Sequence, residues 1–238
     1  MFKKMLSRFG LIPPAHPLFA DNWHYFRRLD QNRPLSDYEF VVFDTELTGL
    51  NRRQDEIVSI GAVKVRHLQI MVGETFHVYV KPSRPLPKNS TLIHRITPQQ
   101  IDQAPRLAEV LPDFISFCGQ ALLVGHYVGL DVAFLNRACR RHYGAPVSNP
   151  CLDTMRLAQT YTEMQWQQYH DRFRMDVAYN LAALGREYGL PDFTLHDAYE
   201  DALQTAYLFV FLIKQMRSKG IVTLRDIFSA GQAWRNLF

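Results

Sequence analysis

In Phe40-Val41-Val42-Phe43-Asp44-Thr45-Glu46-Leu47-Thr48-Gly49-Leu50 an apolar run ends in two acids placed two residues apart. Strand side chains alternate between faces, so Asp44 and Glu46 project together. Two carboxylates held side by side repel unless a cation lies between them. Thr48-Gly49 is turn chemistry that takes the chain out of the sheet just past the acids. The stretch therefore reads as half of a divalent-metal site at the carboxyl end of a strand. The other half must come from elsewhere in the chain.

A second acid cluster is His196-Asp197-Ala198-Tyr199-Glu200-Asp201-Ala202. Asp197 with Glu200 three residues on is a capping-box pattern, which puts His196 at N′ and Asp201 at N4 of a helix. A hydrophobic staple joins those two positions in other helices; here they hold an imidazole and a carboxylate. Taken alone, the cluster reads as a solvated first turn whose acids favour the helix dipole. Asp131, between the apolar Val124-Gly125 and a helical pattern, reads alone as an N-cap. Their occurrence together, in one chain with a strand-end acid pair, shifts both readings towards a shared site.

These acids need elements to position them. Strand patterns cover Phe40–Phe43, Glu56–Val65 and Thr75–Val80, joined by connections too short for parallel crossovers, so the three are antiparallel neighbours. Thr97-Pro98-Gln99-Gln100 is a capping box with proline at the first helical position. Helices are expected over Leu107–Cys118, Leu130–Tyr143, Thr154–Gln168, Asn180–Tyr188 and Ala198–Met216, with strands at Ala121–Gly125 and Cys151–Asp153. Three strands followed by strand–helix alternation imply an α/β fold, a mixed sheet with helices on its faces. The organisation is an N-terminal arm over 1–37, a main domain over 38–217 and a tail over 218–238. In the arm, Pro13-Pro14 and Pro17 are expected to break regular structure ahead of a short helix from Asp21 to Leu29.

The 238 residues, 47% apolar and 21% charged, suit a soluble chain with a sizeable core. A net charge of +4 tilts the chain towards an anionic partner. Cys118, Cys139 and Cys151 form no metal-type pair and read as buried, reduced thiols of a cytoplasmic protein. No apolar run is long enough to span a membrane. Ser7 and Arg8 interrupt the apolar run after Lys3-Lys4, and no small-residue cleavage site follows, against a signal peptide.

The sequence resembles the DEDDh 3′–5′ exonucleases, relatives of the proofreading epsilon subunit of bacterial replicative polymerase. Asp44-Thr45-Glu46-Leu47-Thr48-Gly49 matches their D-x-E-x-T-G motif, and His196 with Ala198 and Asp201 matches H-x-A-x-x-D. Asp131 stands where the second motif has its acid, Asp153-Thr154 resembles a common D-T pair, and Leu92-Ile93-His94-Arg95-Ile96-Thr97 resembles H-G-I-T with Arg95 replacing glycine. The likeness spans residues 38–215. The second motif departs from G-H-N-x-x-F-D, with Tyr127 for asparagine and Leu130 for phenylalanine.

The resemblance implies a ribonuclease H-like five-stranded sheet, three strands antiparallel and the rest parallel. It implies two Mg²⁺ or Mn²⁺ ions on Asp44, Glu46, Asp131 and Asp201, roughly 3.5–4 Å apart, one activating water and one stabilising the leaving 3′-oxygen. His196 would be the general base, a task that suits an imidazole. Thr48 and Leu50 match positions that hold the terminal 3′-hydroxyl and wedge against the last base. Thr45, Leu47, His94, Tyr127 and Phe134 complete the candidate substrate contacts: Thr45 and Leu47 read first as strand-end packing residues, His94 as a loop histidine of the structural kind more often than a ligand, and Phe134 as a base-stacking ring or, as is usual for a helical aromatic, core. Arg137, Arg140 and Arg141 read as a solvated face or as phosphate contacts. The expected substrate is a single-stranded or frayed DNA 3′ end, released as nucleoside 5′-monophosphates in proofreading or repair. The competing readings are an RNA-trimming enzyme and a catalytically silent module that binds nucleic-acid ends or a polymerase. Gln232-Ala233-Trp234-Arg235-Asn236-Leu237-Phe238 resembles a Q-x-x-L-x-L-F sliding-clamp peptide, and equally reads as an apolar anchor packed on the domain.

Overall fold

The sheet forms because β-branched and aromatic runs recur at strand spacing and each buries at least one face. The computed structural model describes residues 13–166, 178–193 and 196–232. Five strands, β1 (Glu39–Leu47), β2 (Ile57–Arg66), β3 (Gln69–Tyr79), β4 (Leu122–Gly125) and β5 (Cys151–Asp153), lie in the order β3-β2-β1-β4-β5. The pairs β1–β2 and β2–β3 are antiparallel, while β1–β4 and β4–β5 are parallel. This is the expected mixed sheet, with the acid-bearing strand at its centre.

The helices are α1 (Pro17–Phe26), α2 (Lys88–His94), α3 (Pro98–Asp102), α4 (Leu107–Cys118), α5 (Gly129–Tyr143), α6 (Thr154–Trp166), α7 (Leu181–Glu187), α8 (Ala198–Arg217) and α9 (Leu224–Gln232). Alternation along β1 divides the core in two. Phe40 and Val42 pack with Leu208, Phe209 and Leu212 of α8. Val41 and Phe43 pack on the other face with Phe114 of α4 and Phe134 and Leu135 of α5. Continuing that alternation carries Asp44 and Glu46 onto the α8 face and Thr45 onto the α5 face.

Several elements differ from expectation for identifiable reasons. Strand β1 runs on to Leu47, so both acids lie inside it, paired with Gly61 and Ser59 of β2. The β2–β3 turn has His67 and Leu68 both at positive φ, without the glycine or asparagine that normally marks such a turn. A register shift between Val63 and Lys64 then obscures the alternation of β3, which starts at Gln69 rather than Thr75. Pro17 does not break the arm: it sits in the first turn of α1, where its missing N–H costs nothing, and the helix ends at Phe26. Asp131 is not an N-cap, because α5 begins at Gly129 and Val128 holds the cap position. Cys118 and Cys139 are buried free thiols, but Cys151 is only half-buried at the start of the short β5.

The arm and tail both contact the body. Phe19 of α1 belongs to the α5-side core and stacks on Tyr143 at 5.3 Å, while Leu224 of α9 is buried beside α8 residues. A β-bridge joins Pro34 to Thr223. Residues 233–238, and with them most of the clamp-like peptide Gln232–Phe238, lie outside the described residues. No helix among the described residues is long and apolar enough to cross a membrane.

Candidate active site

The first turn of α8 can reach the sheet because of a glycine. Gly61 lies opposite Asp44 in the β1–β2 register, and a Cβ there would overlap the backbone of Ala198 and Tyr199. The absence of that atom lets the helix N-terminus settle onto the strand pair, where Asp201 meets Asp44 and Glu46. Ligand oxygens of these three acids all lie within 4.8 Å of one another.

The turn before α8 is built by its own acids. Asp197 Oδ1 accepts the N–H groups of Tyr199 at 3.0 Å and Glu200 at 3.1 Å, as an N-cap should. The reciprocal contact comes from Asp201, not Glu200: its Oδ2 accepts the backbone N–H of His196 at 3.0 Å. His196 holds a positive φ of 66° and an exposed side chain, so the turn presents the imidazole outward beside the acids. N′ and N4 do meet, through the backbone of His196 rather than its ring.

Asp131 approaches from the α5 face. Its Oδ1 accepts the backbone N–H of Thr45 at 3.1 Å and also the Thr45 hydroxyl. Thr45, the residue between the two strand acids, thereby ties this first-turn acid of α5 to the same strand end. Asp131 falls outside the trio that clusters within 4.8 Å, yet its charge acts on Asp44 more strongly than that of Asp201.

Burial raises Asp44, Glu46, Asp131 and Asp201, and repulsion from neighbouring acids is the next cause at Asp44 and Glu46. Glu46 is pushed up to about 8, first by burial and next by Asp201, Asp197 and Asp131. Asp201 rises to about 6 through burial, opposed by its bond from His196. Asp131 rises to about 6 through burial, opposed by its bonds from Thr45. Asp44 is also raised, by burial first and then by its acidic neighbours Asp131, Asp201, Glu46 and Asp197. Among the described residues no Lys or Arg forms an ion pair with any of the four. An all-oxygen donor set with no Lys or Arg counter-charge among the described residues fits a hard divalent cation.

The remaining candidates divide. Leu50 is 75% exposed and Tyr127 50% exposed, so both are open to a ligand. The Thr48 hydroxyl is used within the loop, donating to Asp55 Oδ1 and accepting from the Glu56 N–H, both at 3.0 Å. Leu47 packs against the α5-side core. Phe134 corrects the stacking expectation: it is 1% exposed, and the Arg137 guanidinium covers its ring at 4.9 Å, leaving no face for a base. His94 is buried, its Nδ1 accepting the Ile96 N–H at 3.0 Å. Its Nε2 and the Ser59 hydroxyl have no partner among the described residues, and both residues line a cavity of about 150 Å³ that His196 and Asp197 also border.

In the altered second motif, His126 is structural. Its Nε2 contacts the Tyr179 carbonyl and its Nδ1 the Thr154 hydroxyl, both at 2.9 Å, and burial pushes its pKa down to about 4. A neutral ring that donates from Nε2 and accepts at Nδ1 satisfies both contacts. Asp153 Oδ1 accepts the N–H groups of Tyr127 and Met155, each at 3.0 Å, and so fixes the turn in which Tyr127 has a φ of 53°. Leu92 and Ile93 stand out only in the fold, as exposed apolar side chains. They are 79% and 56% exposed on α2, the helix that ends in His94. Two adjacent apolar residues in the polar segment Lys88–His94 were the available signal.

The Exonuclease family model RNase_T matches residues 41–209. A DNA polymerase III PolC-type of Thermotoga petrophila is 31% identical over 210 residues, which make up 88% of this chain and 14% of that protein. A DNA polymerase III subunit epsilon-like protein of Rhodobacter capsulatus is 34% identical over 211 residues, covering 86% of this chain and 28% of the relative. This chain thus spans a minor part of the length of the curated proteins it matches. E. coli Exonuclease I, solved with a dT13 oligonucleotide, superposes with a TM-score of 0.64 at 17% identity over 76% of this chain and 42% of that one, a likeness of fold.

Proposed function

The chain belongs to the exonuclease family that this model describes, and from that premise we propose that it is a 3′–5′ exonuclease acting on single-stranded or frayed DNA ends. The observation that carries the reading is the convergence of Asp44, Glu46 and Asp201 oxygens within 4.8 Å at the end of the central strand. In this reading Asp44, Glu46, Asp131 and Asp201 hold Mg²⁺ or Mn²⁺. Bound there, such ions neutralise the carboxylates and supply Lewis-acid stabilisation of charge on the phosphoryl oxygens.

The protein's own groups do the rest. A ring nitrogen of His196 takes a proton from the attacking water as the new O–P bond forms. The bond from phosphorus to the 3′-oxygen of the penultimate nucleotide breaks, that oxygen gains a proton from solvent, and a nucleoside 5′-monophosphate leaves. Asp201 serves twice, as a ligand and as the acceptor that fixes the His196 backbone. Thr45 holds Asp131 in place. Leu50, Leu92, Ile93 and Tyr127 are exposed apolar side chains suited to base faces.

DNA is preferred over RNA because the matched relatives are named as DNA polymerase III proteins and the E. coli neighbour was solved with a deoxyoligonucleotide. The test uses DNA and RNA oligonucleotides labelled at either end. The reading expects a ladder from 5′-labelled DNA and immediate mononucleotide release from 3′-labelled DNA. The opposite pattern would reverse the polarity, and faster RNA trimming would reassign the polymer.

A further inference from the structure

A basic groove of about 350 Å³ is lined in part by the loop that follows the acid-bearing strand β1. Its walls come from four separate segments. Arg53 stands on the loop after β1, Arg84 on the connection after β3, Arg106 at the start of α4, and Arg137 and Arg141 on α5. The acid on this lining is Glu56, whose Oε2 is already engaged by the Ser83 N–H. Lys81, also on the wall, is answered by Asp102 at 3.3 Å. Among the described residues, Arg53, Arg84, Arg106, Arg137 and Arg141 form no ion pair.

Five guanidiniums on four segments do not share a cavity by helical periodicity. On α5 alone, Arg137 and Arg141 would make an ordinary solvated stripe. The groove instead gathers like charge from distant parts of the chain into a concave surface, where the positive potential is focused. Arg137 is held rigidly: its guanidinium donates to the carbonyls of Arg52 and Asp55 and lies over the Phe134 ring. Carbonyls orient that charge without neutralising it. Phosphodiester oxygens match such forks in charge and geometry.

The placement gives the charge a purpose. The loop that Arg137 holds also carries Asp55, the acceptor of the Thr48 hydroxyl, so one loop is tied both to the groove and to the end of the acid-bearing strand. Along α5, Asp131 precedes Arg141 by ten residues, about 15 Å at 1.5 Å per residue. That length accommodates a few successive phosphates leading away from the acids.

We propose that this groove binds the sugar–phosphate backbone of a nucleic-acid strand outside the catalytic pocket. The proposal rests on the exonuclease reading for its ligand, but its test does not need catalysis. Arg84, Arg106 and Arg141 are changed together to Ala, leaving Arg137 to hold the loop, and thermal melting checks the fold. Fluorescence anisotropy with a labelled oligothymidylate in chelator then reads binding across a salt series. The expected result is a Kd weakened about tenfold or more, with the slope of log Kd against log salt reduced by about 2, since a single-strand phosphate contact contributes roughly 0.7. Turnover of a dinucleotide, too short to reach the groove, stays unchanged. If wild type cleaves neither substrate, the exonuclease reading fails while the binding arm still judges the groove. An unchanged slope and Kd overturn the proposal. So does loss of inorganic tripolyphosphate or ATP binding in the variant with oligothymidylate binding intact, which would make the groove a site for free polyphosphates. Replacement of the same three residues by Lys should restore most of the salt slope; a Lys variant as weak as the Ala variant would also contradict a phosphate role.

Discussion

Gly61 and Ala198 are in backbone contact: a Cβ on the first would occupy the space of the second. Because Gly61 also faces Asp44 across the β1–β2 ladder, this contact brings the acid of a late helix onto the acids of the first strand. An acidic corner made from residues more than 150 positions apart depends on one missing side chain. Gly61→Ala is therefore expected to lift the first turn of α8, costing about 1–3 kcal/mol in stability by overpacking. It should weaken Mn²⁺ affinity more than Gly73→Ala, at a glycine with open space around it. Calorimetric Mn²⁺ titration with thermal melts checks this, and equal affinities for the two variants would contradict it.

Thr45 positions Asp131 through both its N–H and its hydroxyl. Thr45→Val keeps the shape and the backbone bond but removes the hydroxyl. Partners that orient a metal ligand typically affect activity by about 10–100-fold. We expect a kcat loss in that range, with rescue by Thr45→Ser. A Val variant with unaltered kcat would show that the hydroxyl is dispensable.

Metal should stabilise the protein in a pH-dependent way. Without it, the folded-state values of Glu46, about 8, and of Asp131 and Asp201, about 6, lie above the ordinary 4.5 and 3.8. A carboxyl raised in the folded state favours folding fully below its ordinary value, and that contribution is lost as pH rises through the raised value. The chelated protein should therefore lose stability progressively from about pH 4 to about pH 8 through these groups. Protons and cations compete for the same oxygens, so the Tm gain on adding Mg²⁺ should grow across that window. Differential scanning fluorimetry with and without chelator reads it directly. A gain that shrinks with rising pH would refute the assignment of these acids as ligands.

The N-terminal segment is expected to belong to the folding unit. Phe19 is buried, stacked on Tyr143, and Asn22 donates to Asn149 at 3.3 Å. Phe19→Ala should cost about 3–5 kcal/mol, the usual range for a buried phenylalanine. Denaturant melts measure it; a loss under about 1 kcal/mol would mean that the arm packs without stabilising the fold.

The legible parts of the chain were those whose local signals agree with their tertiary setting. Helix α4 spans Leu107–Cys118 as its apolar period indicates, and Asp197 caps α8 as its spacing indicates. Asp44, Glu46 and Asp201, picked out by type and order, come together in the fold. What escaped was set by contacts between distant residues. The β2–β3 hairpin turns on His67 and Leu68, which carry no turn signature, and Leu68 tolerates a positive φ while buried in the α8-side core. Phe134, one turn past Asp131, suits base stacking or core by sequence alone, and α5 packs it into the core against the sheet. The commitment of the Thr48 hydroxyl to Asp55, and the gathering of arginines into one groove, exist only once four segments have come together.

The central claim is that Asp44 and its neighbouring acids form a metal-dependent hydrolytic centre. The most direct measurement compares wild type with Asp44→Ala on a 5′-labelled DNA oligonucleotide in Mg²⁺, Mn²⁺ and chelator, with circular dichroism to establish that both are folded. The account predicts a processed ladder in wild type with either metal, none in chelator, and a rate lowered by at least about 10³-fold in Asp44→Ala, equivalent to roughly 4 kcal/mol of transition-state stabilisation. A ladder that persists in the folded Asp44→Ala protein, or that survives chelation in wild type, would contradict it.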